Sequence, residues 1–319
     1  MLEIILFVIG FFILVKGADW LVDGSFFIAR YLRVSDMAIG LTVVAFGTSL
    51  PELVVNLSAS LRDVADLAIG NVFGSNIANI LLILGVTAVI CPLPLKKKTI
   101  VSEVPFTLIA ALLVGFLANA ALFMNETSLL LSRWDGLILI FFFILYLVYI
   151  VKTSREFKEE IYEKESKSLS AGKSILLIIL GIIGLFLGGK WIVDGAVYIS
   201  RLLNLSEGFI GLTIVAIGTS LPELVTSVTA AKKKNIDIAI GNVIGSNIFN
   251  LLWVLAVSSL IKPLPFCAIN NIDILIIIFS STLIILSMAT GVKNAIDRKN
   301  GILFLVIYFV YLVYLFYRG

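Results

Sequence analysis

The reading of this chain turns on IGLTVVAFGTSLPEL at residues 39–53, which recurs as IGLTIVAIGTSLPEL at residues 210–224. The offset is 171 residues, and other matches keep it. LAIGNVFGSNIAN at 67–79 returns as IAIGNVIGSNIFN at 238–250, Trp20-Leu-Val-Asp-Gly24 as Trp191-Ile-Val-Asp-Gly195, and Pro92-Leu-Pro94 as Pro263-Leu-Pro265. A constant offset over some ninety residues means an internal duplication without a gap.

The material around the repeat is apolar. Of 319 residues 60% are hydrophobic and 14% charged, and the mean hydropathy is +1.10. Soluble domains carry about 25% charged residues, so a soluble enzyme, a nucleic-acid binder and a disordered chain are all disfavoured. The net charge of +3 is too small to imply a polyanion partner. There is no histidine, the commonest general base and transition-metal ligand. Cys91 and Cys267 alone support neither a disulfide framework nor a thiolate metal site. The first residues lack the basic start and small-residue cleavage site of a signal peptide, so a retained membrane helix is expected there.

A membrane-spanning helix needs about 20 mostly apolar residues. Ten segments qualify, near 2–29, 37–61, 66–91, 100–122, 134–151, 174–200, 208–231, 237–261, 271–291 and 301–317. The expected organisation is a first five-helix repeat at 1–151, a polar linker loop at 152–173 and a second five-helix repeat at 174–319. Linkers leaving odd-numbered segments carry 17 basic residues, including Lys96–Lys98 and Lys232–Lys234. The opposite linkers and the C-terminus carry 5, and Lys16 and Lys190, inside segments, complete the 24. The positive-inside rule then places both termini outside the cell and the 152–173 loop in the cytoplasm. Cys91 and Cys267 fall near opposite faces and are not expected to pair. Five helices per repeat is an odd number, so the second repeat enters the membrane from the other side. Inverted repeats of this kind are typical of secondary transporters, whose substrate sites lie mid-membrane between the repeats.

The chemistry concentrates in the repeated motifs. Glu52 and Glu223 lie mid-span in apolar helices, where a carboxylate is costly and marks function by default. They occupy equivalent positions, and two carboxylates brought together repel unless a cation or proton sits between them. The alternative is a pair of protonated glutamic acids making helix contacts. Pro51 and Pro222 each remove a backbone hydrogen bond, so the helix is expected to break and free carbonyl oxygens around Ala45–Thr48 and Ala216–Thr219. The competing reading is a packing kink. Asn71, Ser75 and Asn79 recur every fourth residue, as do Asn242, Ser246 and Asn250. Thr48, Glu52 and Asn56 form a similar stripe, matched by Thr219, Glu223 and Ser227. All offer oxygen, which suits calcium and sodium; interhelical hydrogen bonding is the bland alternative, and for Asn71 and Asn242 the two readings weigh equally. Gly40, Gly47, Gly70 and Gly74, with Gly211, Gly218, Gly241 and Gly245, are read as sites of close helix approach. Ser35 and Ser206 are read as N-caps, and Asp23 and Asp194 as interfacial pairing or capping residues. Asp19 corresponds to Lys190, an asymmetry with no functional account.

These doubled Gly-Thr-Ser-Leu-Pro-Glu and Gly-Asn-Val-x-Gly-Ser-Asn-Ile-x-Asn motifs resemble the two α-repeats of the calcium/cation antiporter superfamily, and within it the prokaryotic sodium/calcium exchangers. The resemblance spans the chain and implies an all-α membrane protein of ten transmembrane helices in two inverted repeats. It implies that Glu52 and Glu223 are carboxylates shared by calcium and sodium, and that the carbonyls of Thr48 and Thr219 complete the calcium site. Ala45, Ser49 and Ser75 resemble one flanking sodium site, Ala216, Ser220 and Ser246 its mate, and Asn79 the polar residue of the central site. Long, loosely packed helices one and six resemble a gating pair. Asn250 stands where some relatives carry aspartate, which leaves two carboxylates and argues against potassium co-transport.

The expected activity is sodium-driven calcium export by alternating access in the inner membrane, by a monomer, with no cofactor, no enzymatic role and no nucleic-acid partner. Its partners are the lipid bilayer and the two transported ions. Three rivals remain: a calcium/proton antiporter using the same glutamates, a cation channel and an intramembrane enzyme. Inverted repeats with broken helices suit a channel less well, and no nucleophile–base pair supports an enzyme.

Overall fold

The computed structural model describes residues 2–61, 65–95, 97–123, 129–155, 170–202, 216–287 and 295–318. Ser206, Gly211, most of the linker loop and the start of the 208–231 segment lie outside the described residues.

The protein is helical. Among the described residues seven helices are long and apolar enough to cross a membrane: Ile5–Leu32, Asp66–Ile90, Arg133–Ser154, Ala171–Ile199, Ile236–Ile261, Asn270–Ser287 and Arg298–Arg318. The bent pair Asp36–Thr48 and Leu50–Leu61 supplies an eighth span if read as one. Lys97–Ala118 covers the expected fourth segment, with a shorter apolar part, Glu103–Ala118. Leu221–Lys232 covers the described end of the seventh. In hydrocarbon a helix satisfies its own backbone donors and acceptors, so apolar runs of this length adopt it.

The chain forms two compact units, each drawing on both halves of the sequence. The first comprises Met1–Pro51 and Leu147–Gly245. Its spine is the helix Leu2–Leu32 packed along Ala171–Leu202. Gly10, Gly17 and Gly24 are seven residues apart, and so are Gly181, Gly188 and Gly195. A Cβ on Gly17 would lie 2.7 Å from the Leu185 nitrogen, and one on Gly181 would lie 2.6 Å from the Leu21 nitrogen. Backbone therefore meets backbone, as small residues allow in membranes. Helices one and six thus lie tightly against each other. Elsewhere in the unit Gly40 faces the Gly241 Cα, with 3.1 Å left for a Cβ.

Lys233 joins the same helix from the loop after Leu221–Lys232. Its Nζ lies 2.8 Å from Asp23 Oδ1 and 3.1 Å from Asp19 Oδ1. Pairing was the expectation for Asp23. The partner of Asp19 shows what the Asp19/Lys190 asymmetry does in the fold, because a lysine at residue 19 would face Lys233 with like charge.

The second unit comprises Glu52–Tyr146 and Ser246–Gly319. Phe143 stacks edge-on against Phe249 and near Trp253, while Phe106 meets Tyr146. Two short antiparallel ribbons tie the halves together. Leu93–Pro94 pairs with Ala295–Ile296, and Leu130–Leu131 with Leu264–Pro265. The repeated Pro-Leu-Pro motif of each half thus grips the other. At the end of the last helix Arg318 Nη1 donates to both oxygens of buried Asp273, at 2.9 and 2.8 Å, and the Tyr311 hydroxyl donates to Oδ1 at 3.1 Å. Gly245 meets the Leu41 backbone, with 2.7 Å left for a Cβ, whereas the residues that correspond to this partner for Gly70 and Gly74 lie outside the described residues. Both cysteines are free.

Candidate functional site

The break in each glutamate helix falls one residue earlier than proline alone dictates. Ser49 adopts φ −83°, ψ 6°, and Ser220 φ −88°, ψ 3°. This bridge conformation ends one helix and lets another begin. Pro51 and Pro222 then sit in the first turns of Leu50–Leu61 and Leu221–Lys232, where a missing N–H costs nothing. The two segments at the first break meet at 46°. The Ala45 oxygen is not freed by it, because the Ser49 N–H donates to it at 3.0 Å.

The break also answers a question of charge. Glu52 and Glu223 each lie in the first turn of the new helix. Unsatisfied N–H groups and the helix dipole make that turn the favoured place for an anion, by about 0.3–1 kcal/mol at exposed sites and more when buried. Interrupting an apolar helix thus gives a buried carboxylate a positive end to sit on.

In the first unit Glu223 is fully buried. The Ser49 hydroxyl donates to its Oε1 at 3.2 Å, so a serine of the first repeat meets the glutamate of the second. Asn242 Nδ2 donates to the Glu223 backbone oxygen at 3.3 Å and to Ser227 Oγ at 2.9 Å. Thr48 Oγ1 lies 3.0 Å from Asn242 Oδ1 and donates to it. Thr48, Ala45, Thr219 and Ser220 are buried. Ala216 opens the short helix Ala216–Thr219.

In the second unit Glu52 is 1% exposed, and Ser75 Oγ donates to its Oε1 at 3.5 Å. Ser246, Asn79 and Asn250 are buried. Asn79 Nδ2 donates to Asn247 Oδ1 at 2.9 Å, and Asn247 Nδ2 donates to the Asn76 backbone oxygen at 3.2 Å. Asn71 Nδ2 donates to Asn56 Oδ1 at 2.6 Å. For Asn71 and Asn242, then, interhelical hydrogen bonding is what the geometry shows.

Sequence reading passed over three features. Asn76 and Asn247 are repeat mates inside the quoted motifs, yet the every-fourth-residue stripe skips them. Asn79–Leu84 and Phe249–Val254 are π-helical turns that begin at or beside Asn79 and Asn250. Such bulges are frequent at functional sites, and no composition cue announces them. The glycine heptads were visible, since Gly10, Gly17 and Gly24 keep the same 171-residue offset to Gly181, Gly188 and Gly195.

Among the described residues no group of three or more His, Cys, Asp or Glu could hold a metal ion. The oxygen around each glutamate is therefore mainly neutral: hydroxyl, amide and backbone carbonyl. Hard cations such as sodium and calcium suit such a donor set, and softer transition metals do not.

Comparison with known proteins agrees with this chemistry. The family described as sodium/calcium exchanger protein matches residues 2–152 and 173–317. The sodium/calcium exchanger MaX1 of Methanosarcina acetivorans is 31% identical over 345 residues, 98% of each chain. An uncharacterised membrane protein of Methanocaldococcus jannaschii is 39% identical over 309 residues, 95% of each chain. A structure of the sodium-calcium exchanger NCX_Mj soaked with sodium and calcium superposes with a TM-score of 0.81 at 37% identity, covering 98% of each chain. The matched relatives are transporters rather than enzymes, and likeness across nearly the whole length joins the apolar spans and doubled motifs in one conclusion: this chain belongs to the sodium/calcium exchanger family, within the calcium/cation antiporter superfamily.

Proposed function

We propose that the protein exchanges sodium for calcium across the cell membrane by alternating access, binding both ions mid-membrane through Glu52 and Glu223. The observation that carries this reading is the doubled carboxylate: the glutamates hold the same place in their repeats, and each is buried, lies in the first turn after a helix break and accepts a serine hydroxyl, from Ser75 at Glu52 and from Ser49 at Glu223. We assign calcium to the two carboxylates with the carbonyls of Thr48 and Thr219. Sodium takes the carboxylates together with Ala45, Ser49 and Ser75 on one side and Ala216, Ser220 and Ser246 on the other, with Asn79 and Asn250 as polar residues between. Calcium and sodium then compete for the same carboxylates. An empty charged site is costly to carry past apolar surroundings, whereas a filled one is partly neutralised, and this couples the two fluxes.

The architecture that goes with this activity is ten transmembrane helices in two inverted five-helix repeats, 1–151 and 174–319, joined by the cytoplasmic loop 152–173. Both termini are extracellular, and the monomer in its bilayer is the working unit. The helices Leu2–Leu32 and Ala171–Leu202 form the gating pair.

The deciding experiment is calcium-45 uptake into proteoliposomes loaded with sodium, against a potassium-loaded control at matched pH. Uptake that requires internal sodium is the expected result. Uptake indifferent to sodium and driven by a pH gradient overturns the sodium reading and recasts the glutamates as proton carriers.

A further inference from the structure

The side chains of Asn79 and Asn247 are linked in a chain of hydrogen bonds whose starting point has only one possible role. The backbone oxygen of Asn76 can only accept, so the end of the Asn247 amide that faces it at 3.2 Å is the nitrogen. The opposite end is therefore the oxygen, and Asn79 meets that oxygen at 2.9 Å with its own Nδ2. It follows that Asn79 Oδ1 points away from Asn247. That oxygen is buried and has no hydrogen-bond partner among the described residues. Turning the Asn79 amide over would leave its shape unchanged, but would set two amide oxygens about 2.9 Å apart in a low-dielectric interior.

The mirror position lacks this restraint. By the repeat, Asn250 corresponds to Asn79 and Asn76 to Asn247. Yet Asn76 Nδ2 donates to the Val72 oxygen of its own helix at 2.7 Å, and neither polar atom of Asn250 has a partner among the described residues.

We propose that Asn247 is a positioning residue, which aims the Asn79 oxygen rather than its NH2 at the transported cation. The proposal rests on the reading of Asn79 as an ion ligand. Asn79 is a ligand aligned in advance, while for Asn250 no described residue fixes which end it presents. A prealigned ligand spares the cation the cost of orienting it.

The test is the calcium dependence of sodium-driven uptake by the full-length protein in proteoliposomes. Asn247→Leu keeps the volume and loses both polar functions. Its expected effect is a rise in the apparent KM for calcium of about fivefold, the worth of one ordinary hydrogen bond, with the maximal rate little changed. Aspartate has an oxygen at each end of its carboxylate and needs no aiming, and in an Asn79→Asp background its near oxygen faces the Asn247 oxygen. There Asn247→Leu is therefore expected to leave KM unchanged or to lower it. An equal proportional rise in both backgrounds shows a merely structural residue and overturns the proposal. Asn247→Ala serves if the leucine variant does not fold, because it too removes the oxygen that faces Asn79. A KM about fivefold above the parent that does not recur in the Asn79→Asp background supports the proposal, and no rise, or the same rise in both, overturns it. Asn79→Leu separates the two levels of inference. If it leaves KM unchanged, the ligand reading of Asn79 has failed; if it raises KM while Asn247→Leu does not, only the positioning role has failed.

Discussion

Gly17→Ala is the sharpest test of the contact between the first helix and Ala171–Leu202. The added Cβ would lie 2.7 Å from the Leu185 nitrogen and 2.9 Å from the Gly181 oxygen and the Gly184 carbonyl carbon. Ordinary contact begins at 3.4 Å, a shortfall of about 0.7 Å. All three neighbours are backbone atoms, so no side chain can swing aside and the helices themselves must part. Overpacking of this kind costs about 1–3 kcal/mol. Three unyielding backbone neighbours put the cost in the upper part of that range, about 2–3 kcal/mol, and alanine returns up to about 1 kcal/mol through its helix propensity, which leaves a net loss of about 1–2 kcal/mol. Gly115→Ala is the matched control, since the described atoms nearest its Cβ are those of the Ile274 side chain at 3.4 and 3.7 Å, which is ordinary contact. There the propensity gain operates almost alone, so the expected change is neutral or stabilising by up to about 1 kcal/mol. Thermal unfolding of the two purified variants in the same detergent compares one chemical change in two environments. The expected result is a lower midpoint for Gly17→Ala and an unchanged or higher one for Gly115→Ala. A Gly17→Ala protein as stable as Gly115→Ala would refute the close backbone contact.

Three further outcomes follow from geometry. Glu52→Gln and Glu223→Gln are each expected to abolish sodium-dependent calcium uptake while leaving the unfolding midpoint near that of the parent, because the change is nearly isosteric; robust uptake by either variant would sink the site assignment. Arg318→Ala leaves Asp273 buried beside Tyr311 without its cation, and is expected to destabilise the protein by about 3 kcal/mol, read as a clear drop in thermal midpoint. Lys233→Gln removes the cation that bridges Asp19 and Asp23, but these groups are partly exposed, so the loss is expected to be about 0.2–1 kcal/mol and to vanish in high salt; a salt-independent loss would mean that Lys233 acts by packing.

The membrane class and the seven described spans were legible because they rest on composition and length. The duplication was legible because its offset never changes. Glu52 and Glu223 stood out for one reason, the cost of a carboxylate in an apolar run, and both are buried. Other features escaped for physical reasons. The bridge conformation at Ser49 and Ser220 depends on what precedes each proline, and a proline in sequence reads equally as a kink or as the first turn of a new helix. The π-helical turns at Asn79 and Asn250 have no residue signature. The Asn247–Asn79 bond joins residues 168 apart, and a periodicity argument sees one helix at a time. Glycine in the motifs was only part of the signal: Gly40, Gly241 and Gly245 make the close approaches read from the repeat, but Gly17 and Gly181, outside the quoted motifs, bring backbone against backbone just as closely.

Neither compact unit is a continuous half of the chain: each takes one stretch from before the polar loop and another from after it. The order of synthesis therefore matters. When the first repeat has left the ribosome, the partners of Leu93–Pro94 and of the Leu2–Leu32 helix have not been made. The nascent half must wait in the bilayer with its glycine stripe and ribbon edge uncovered, and long-range pairing of this kind is slow and exposed to misassembly. Severing the chain in the 152–173 loop yields two fragments that each lack both cores. Neither half should accumulate in cells by itself, and the pair should be rescued only when both are produced together, so that assembly of this transporter begins in earnest with the translation of its second half.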